Sequence, residues 1–315
     1  MASKLAVIAI GGNSLIEDPN KPQIEHQWVT VRKTCDSIAE MIATGWQVVL
    51  THGNGPQVGF IIQRGEAAVE QGMHDIPMDL VVADTQGSIG YMFQKELDNA
   101  LRLQGINQTI VTVVTQVRVN AQDPAFQNPT KPIGSYLNED QATHYENSGW
   151  HVKEDAGRGK RRVIASPLPL NINEINAIRS LMKEDYIVIA CGGGGIPVIR
   201  DEQGALLGIA AVIDKDHASS LLARELRADL FIICTGVSHV ALHFNTAEQQ
   251  SLDRMTIKEA EQYIEEGHFA PGSMLPKIQA AVDFVRLGGP QALITDPHHL
   301  HLALRGHAGT RIVPG

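Results

Sequence analysis

The chain has 315 residues, 43% of them hydrophobic, and carries 26 Lys and Arg against 35 Asp and Glu, a formal net charge of −9. A chain of this length buries roughly three quarters of the surface it exposes when unfolded, which suits one large domain or two lobes and excludes a disordered or fibrous protein. The acidic balance repels phosphate backbones and anionic lipids, so nucleic acid and membrane are excluded as partners of the surface as a whole, and any anionic ligand must be held by local cations and backbone N–H groups.

The first apolar run, Leu5–Ile10, leads straight into a Gly-Gly turn and shows no small-residue cleavage pattern. It reads as a strand rather than a signal peptide. Further β-rich runs at Val48–Thr51, Thr109–Val114, Tyr186–Cys191, Leu230–Thr235 and Ala292–Thr295 predict strands buried on both faces. Helical stripes lie between them. Trp28, Val31, Cys35, Ile38 and Ile42 mark one helix face, and Ile89, Phe93, Leu97 and Leu101 a second. Ala218, Leu221, Leu222 and Leu226 form a third, and Ile278, Ala281, Val282 and Val285 a fourth. The fourth has Ser273 as its expected N-cap and Pro276 in its first turn. Alternation of strand and helix predicts an α/β fold, a mostly parallel sheet with helices on both sides. From about 118 to 169 the pattern turns polar and rich in Pro, Asn and Gly, which predicts an insert projecting from the sheet. No stretch approaches 18 apolar residues, so none is expected to span a bilayer.

Three glycine turns each follow a predicted strand: Gly11-Gly12-Asn13, His52-Gly53-Asn54-Gly55 and Gly192-Gly193-Gly194-Gly195. In a parallel sheet such turns lie at the carboxyl ends of strands, where ligands bind. Glycine lets the backbone approach a phosphate, and its N–H groups with a following helix N-terminus form an anion cradle. The P-loop pattern is absent, and the four glycines run into Ile196-Pro197 where a dinucleotide fingerprint would open a helix.

Asp214 and Asp216 open the third helical stripe, as suits the helix dipole, but Lys215 between them is not explained by capping. Lys277 falls in a first helical turn, where a lysine opposes the dipole unless it has an anionic partner. Lys131 lies in the insert, fixed between Thr130 and Pro132. The cluster Arg158-Gly159-Lys160-Arg161-Arg162 reads as a solvated loop or an anion anchor beside the site. Cys35, Cys191 and Cys234 each sit in an apolar run, as buried thiols of a reducing compartment do. His298, His299, His301 and His307 fit no standard metal spacing and are expected at the surface.

The segments AIGGNSL, THGNGPQVG, ADTQGSIGY, NPTKPIG, KEDAGRG, CGGGGIPV, AVIDKDHAS, TGV and GHFAPGSMLPKI, in this order, closely resemble carbamate kinase. The likeness covers nearly the whole chain. It implies the amino-acid-kinase fold: one domain, 1–315, built as a three-layer αβα sandwich with a mostly parallel open sheet and a small projecting subdomain. Within it, residues 1–180 would form the acceptor lobe, insert included, and 181–315 the nucleotide lobe. The resemblance further implies a cytoplasmic homodimer that uses Mg²⁺ and catalyses ATP plus carbamate giving ADP plus carbamoyl phosphate, reversibly. Lys131, Lys215 and Lys277 would handle phosphate, with Asp214 and above all Asp216 organising them. Gly11, Gly12, Asn13, Gly53, Asn54, Gly193 and Gly194 would surround the transferred group. Thr235, Gly236, Val237, His268, Phe269, Pro271, Gly272 and Met274 would line the nucleotide, and Mg²⁺ would be held mainly by the ATP phosphates rather than by a protein side chain. Relatives acting on larger acids resemble one another in carrying a lysine two residues before the first Gly-Gly, where this chain has Ala9, so Lys131 is the candidate source of the missing charge. Two departures in the insert, Asn120 and Lys160, leave open a same-fold kinase for another small carboxylate or amino acid. A non-catalytic nucleotide-binding subunit is the remaining alternative, and the three lysines and two aspartates argue against it.

Overall fold

The structure, a computed structural model, describes residues 3–12, 15–16, 23–154 and 159–315, apart from the Ser135 side chain. The chain opens with β1 (Leu5–Ile10), α1 (Ile24–Ala43), β2 (Gln47–His52), α2 (Gly55–Val69), α3 (Met78–Leu103) and β3 (Ile110–Thr112). The segment after it comprises β4 (Gln116–Val119), β5 (Lys131–Leu137), α4 (Glu139–Asn147), β6 (His151–Glu154), β7 (Lys160–Ile164) and β8 (Pro169–Ile172). Then come α5 (Ile175–Lys183), β9 (Ile187–Ile189), β10 (Ile196–Arg200), β11 (Leu206–Gly208), α6 (Lys215–Leu226) and β12 (Leu230–Cys234). The chain continues through β13 (Val240–Leu242), β14 (Gln250–Leu252), β15 (Arg254–Thr256), α7 (Ile257–Glu265), α8 (Met274–Arg286), β16 (Ala292–Thr295), α9 (Leu300–Leu304) and β17 (Thr310–Val313).

The main sheet runs in the order β15-β17-β16-β12-β1-β2-β9-β3, parallel from β3 to β16, with β17 antiparallel to β16. All six residues of β1 are buried. Leu5, Val7 and Ala9 enter one core with Ile178, Leu222 and Ile278, from α5, α6 and α8. Ala6, Ile8 and Ile10 enter a second core with Ile38, Phe93 and Leu300, from α1, α3 and α9. A sheet buried on both faces between two helical layers is the three-layer sandwich. Each fully buried Leu, Ile or Phe side chain contributes about 1.5–3 kcal/mol, so the strands with no polar alternation are those most firmly specified.

Three expectations need correction. The strands at Thr109–Val114 and Tyr186–Cys191 shrink to Ile110–Thr112 and Ile187–Ile189, because ladder pairing stops before the apolar run does. Ser273 holds the N-cap position of α8 without a side-chain cap hydrogen bond, and instead Ala270 O accepts from the Ser273 and Leu275 amides at 3.2 and 3.1 Å. The basic cluster is strand β7 from Lys160 onward, not a solvated loop, and Arg158 lies outside the described residues. The three cations of β7 have different surroundings. Lys160 pairs with Glu139 at 2.7 Å on the surface, and Arg161 donates to Gly134 O. Arg162 is buried, 2.5 Å from Glu66 and over the rings of Tyr145 and Trp150.

The insert is a three-stranded antiparallel sheet, β5-β7-β6, with α4 against it. It joins the body through a four-stranded sheet, β11-β10-β4-β8. Its underside rests on α2 and α3 through a small core that includes Val58, Ile62, Val81, Ile133 and Ile164. Glu66 on α2 accepts from both Arg162 and the Tyr145 hydroxyl, the latter at 2.8 Å, so one carboxylate ties two parts of the insert to the body.

Candidate active site

The parallel strands β1, β2, β9, β12 and β16 end along one edge of the sheet, and each predicted turn lies there. At Gly11 a Cβ would come 2.6 Å from Cys234 O, so only glycine lets β1 end beside β12. A Cβ on Gly53 would meet the Lys215 stem at 3.3 Å and Gly12 N at 3.7 Å, which places Gly12, Gly53 and Lys215 together. Asn13 lies outside the described residues. Asn54 is buried at the start of α2, with its side-chain amide donating to Thr85 Oγ at 2.9 Å. Gly193 and Gly194 are buried beside it: their Cβ positions are filled by Asn54 Nδ2 and Ile213 O, and both have positive φ, 67° and 93°. Here glycine is needed both for backbone conformation and for space.

Around these turns five charged side chains converge. Asp214 caps α6, its Oδ1 accepting from the Asp216 amide at 2.9 Å. Its Oδ2 lies 2.5 Å from Lys131 Nζ, which arrives from the insert 83 residues away in sequence. Asp216 is 2% exposed and binds two lysines, Lys215 beside it and Lys277 of α8 at 3.0 Å. The anionic partner that Lys277 needs in a first helical turn is therefore Asp216. Burial opposes ionisation of both carboxyls, but Lys131 outweighs it at Asp214, and Lys215 and Lys277 outweigh it at Asp216. Both are held below the ordinary carboxylate range. Burial, with Lys277 nearby, draws Lys215 below the usual lysine value against the pull of Asp216, whereas for Lys277 the Asp216 charge overcomes burial and raises it. Three cations against two anions leave this cluster with one unit of net positive charge.

A cleft of about 1090 Å³ opens between the insert and this edge, lined by Gly12, Lys131, Arg161, Asp214, Pro271 and Gly272 among others. It thus joins the first glycine turn, the insert lysine and the start of α8. Thr235-Gly236-Val237 follow β12, with the Thr235 amide donating to Thr295 O at 2.8 Å. His268 packs edge-on to His243 at 4.5 Å, Phe269 is buried, Pro271 and Gly272 are exposed, and Met274 begins α8. Ala9 is fully buried in β1, so no charge enters at that point.

Two polar residues inside the family-like segments, given no role of their own from the sequence, support the site. Gln86 sits in ADTQGSIGY, and its side chain accepts from Thr115 N at 2.8 Å and donates to Thr115 O and Gly192 O at 3.1 and 3.0 Å. His52 ends β2 with its Nδ1–H toward Gly53 O at 3.0 Å and its ring stacked near Phe93. Burial pushes it down to about 4, so it is neutral at pH 7. The three cysteines are buried, and burial pushes their thiols up, that of Cys234 to about 12. Both aspartates are engaged by protein donors in this structure. The Asp216 oxygens are taken by two lysines and the Asp214 oxygens by Lys131 and an amide. Among the described residues no group of three His, Cys, Asp or Glu is placed to hold a metal ion.

Comparison with known proteins extends over the same residues. The model of the amino acid kinase family matches residues 4–296. The carbamate kinase-like protein YahI of Escherichia coli is 49% identical over 313 residues, 98% of this chain and 99% of that protein. The carbamate kinase of Pyrococcus horikoshii is 47% identical over 312 residues, 98% of each chain. The structure of carbamate kinase from Giardia lamblia bound to AMP-PNP superposes with a TM-score of 0.91 at 38% identity, covering 100% of this chain and 99% of that one. With the family model matched over residues 4–296 and the whole chain superposing on a solved relative, this chain is a member of the amino acid kinase family.

Proposed function

We propose that this chain is a carbamate kinase, transferring the γ-phosphoryl group of ATP to carbamate and, in reverse, making ATP from carbamoyl phosphate and ADP. The observation that carries the reading is the convergence of Lys131, Lys215 and Lys277 from three separate elements on two aspartates at the glycine turns. Full-length similarity to proteins named as carbamate kinases selects the acceptor.

The chemistry follows from charge. A carbamate oxygen is already an anion, so it needs no strong general base. The obstacle is repulsion between that oxygen and the ATP phosphates, about 4 kcal/mol for unit charges 4 Å apart at an effective dielectric near 20. Lys215 and Lys277, held by Asp216, present fixed cations, and the amides of Gly12 and Gly53 add donors where the backbone comes close. Lys131 leaves Asp214 for the incoming phosphoryl oxygens, so the insert completes the site as it excludes water. One O–P bond forms from carbamate to γ-phosphorus, the bond to the β,γ-bridging oxygen breaks, and ADP keeps the electron pair. Mg²⁺ enters with the nucleotide as part of the substrate. The nucleotide lies over Thr235–Val237 and 268–274, in the second lobe.

Three buried free cysteines suit a reducing, cytoplasmic setting. Exposed Ile24, Val29 and Tyr91 on the packed pair α1 and α3 suit a second copy of the chain. No described helix is long and apolar enough to cross a membrane. ATP-dependent ADP release, measured across a panel of small acids that includes carbamate, acetate and amino acids, tests the acceptor. The reading expects carbamate to lead the panel, and a stronger response to another acid makes the chain a same-fold kinase of different specificity.

A further inference from the structure

Gly59 occupies the middle of α2, where glycine weakens a helix relative to alanine. Its surroundings give it a task. A Cβ at Gly59 would come 2.8 Å from Gly134 Cα, 3.4 Å from its N and 3.5 Å from its carbonyl carbon. Every one of these is a backbone atom of β5, so no side-chain rotation relieves the contact. Non-bonded carbons settle about 3.5–4.0 Å apart, so a methyl group at Gly59 would hold β5 back by roughly 1 Å. Gly134 has φ +72° and its carbonyl accepts from Arg161 Nε and Nη2 at 3.1 and 2.7 Å, which fixes the strand where α2 touches it. Lys131 begins the same strand, and Gly59, Gly134 and Lys131 all line the cleft. We infer that Gly59 and Gly134 form a backbone seat that sets how far the insert descends, and that Gly59 is a positioning residue that places Lys131 over the phosphoryl site. The kinetic consequence rests on the carbamate kinase reading, whereas the seat itself does not.

Gly65 supplies the control. It lies on the same helix, but a Cβ there would meet the Ile76 side chain at 3.2 Å, not the insert. Unmodified protein, Gly59→Ala, Gly65→Ala, Lys131→Ala and the Gly59→Ala/Lys131→Ala pair are compared for ATP formation from ADP and carbamoyl phosphate. A displacement of about 1 Å lowers kcat up to about 10²-fold in Gly59→Ala, while Gly65→Ala stays near the unmodified rate. ADP affinity is unchanged in both. In the Lys131→Ala background Gly59→Ala changes kcat less than about threefold, since the group it positions is already gone. Multiplicative losses in the double variant overturn the inference. Crystal structures of the unmodified protein and Gly59→Ala give a readout free of activity: the Cα separation between position 59 and Gly134 should widen by roughly 1 Å. An unchanged separation overturns the seat whatever the substrate. A lengthened separation in a protein with no carbamate kinase activity overturns the functional reading and leaves the seat standing.

Discussion

Replacing Lys131 by alanine separates catalysis from stability. The Lys131–Asp214 pair is short, 2.5 Å, but its side chains are 31% and 18% exposed. Lys131 is open to solvent, but Asp214 is mostly buried and relies on Lys131 against that burial. Losing the lysine therefore costs more than a surface pair, about 1–3 kcal/mol, with Asp214 still holding its bond to the Asp216 amide. That is a drop of a few to about 10 °C in Tm. The effect on rate is larger, because the lysine acts on charge that moves during transfer. Loss of one such stabiliser removes about 2.7–4 kcal/mol of transition-state binding, a fall of about 10²–10³ in kcat. The variant is assayed for ATP formation from carbamoyl phosphate and ADP, with ADP binding measured by calorimetry and Tm by differential scanning. ADP affinity should change less than about threefold, since Lys131 arrives from the acceptor side. Turnover within a few fold of the unmodified enzyme would refute the role of the insert lysine, and a large loss of ADP affinity would move it to the nucleotide.

Other expectations follow from the same geometry. Burial holds His52 at about 4 in the folded chain against about 6.5 unfolded, so its contribution is complete above pH 6.5 and is lost as pH falls toward 4, up to about 3 kcal/mol in all. His52→Gln should flatten that part of the stability profile in urea titrations whatever its absolute stability, and a parallel profile contradicts the assignment. Asp216→Asn leaves Lys215 and Lys277 buried without their carboxylate. It should cost about 3–5 kcal/mol, and an unchanged denaturation midpoint would show that the triad is not a closed ion pair. Adding ADP should concentrate new amide-exchange protection after residue 190, and protection confined to the first 180 residues overturns the lobe assignment.

What could be read in advance divides along physical lines. The strands β1, β2, β12 and β16 were legible because both faces are buried and their apolar runs are unbroken. The strand β10 was not, because its partner β4 lies 80 residues earlier and no local pattern announces the pairing. The helix α2 was hidden by its own glycines, Gly55, Gly59 and Gly65, which read as punctuation. The helix α7 did carry a signal, the capping box of Thr256 and Glu259, which its short exposed face obscured. At the site the lysines and aspartates stood out as residue types. Their pairing did not, since only the fold brings Lys131 to Asp214 and lets Asp216 hold two lysines at once. Arg162 shows the reverse failure: a charge run read as solvated contains a buried cation, because β7 runs from half-buried Lys160 and Arg161 into buried Arg162, Val163 and Ile164, where Glu66 and two aromatic rings receive the guanidinium.

The central claim is phosphoryl exchange between carbamate and the adenine nucleotides in the cleft between insert and sheet. It is tested most directly by incubating the purified chain with carbamoyl phosphate, ADP and Mg²⁺ and following ATP by luciferase luminescence, with Lys131→Ala prepared in parallel. The account predicts sustained ATP formation by the unmodified chain and a rate about 10²–10³-fold lower for the variant. Absence of ATP formation from a folded, ADP-binding protein would contradict it.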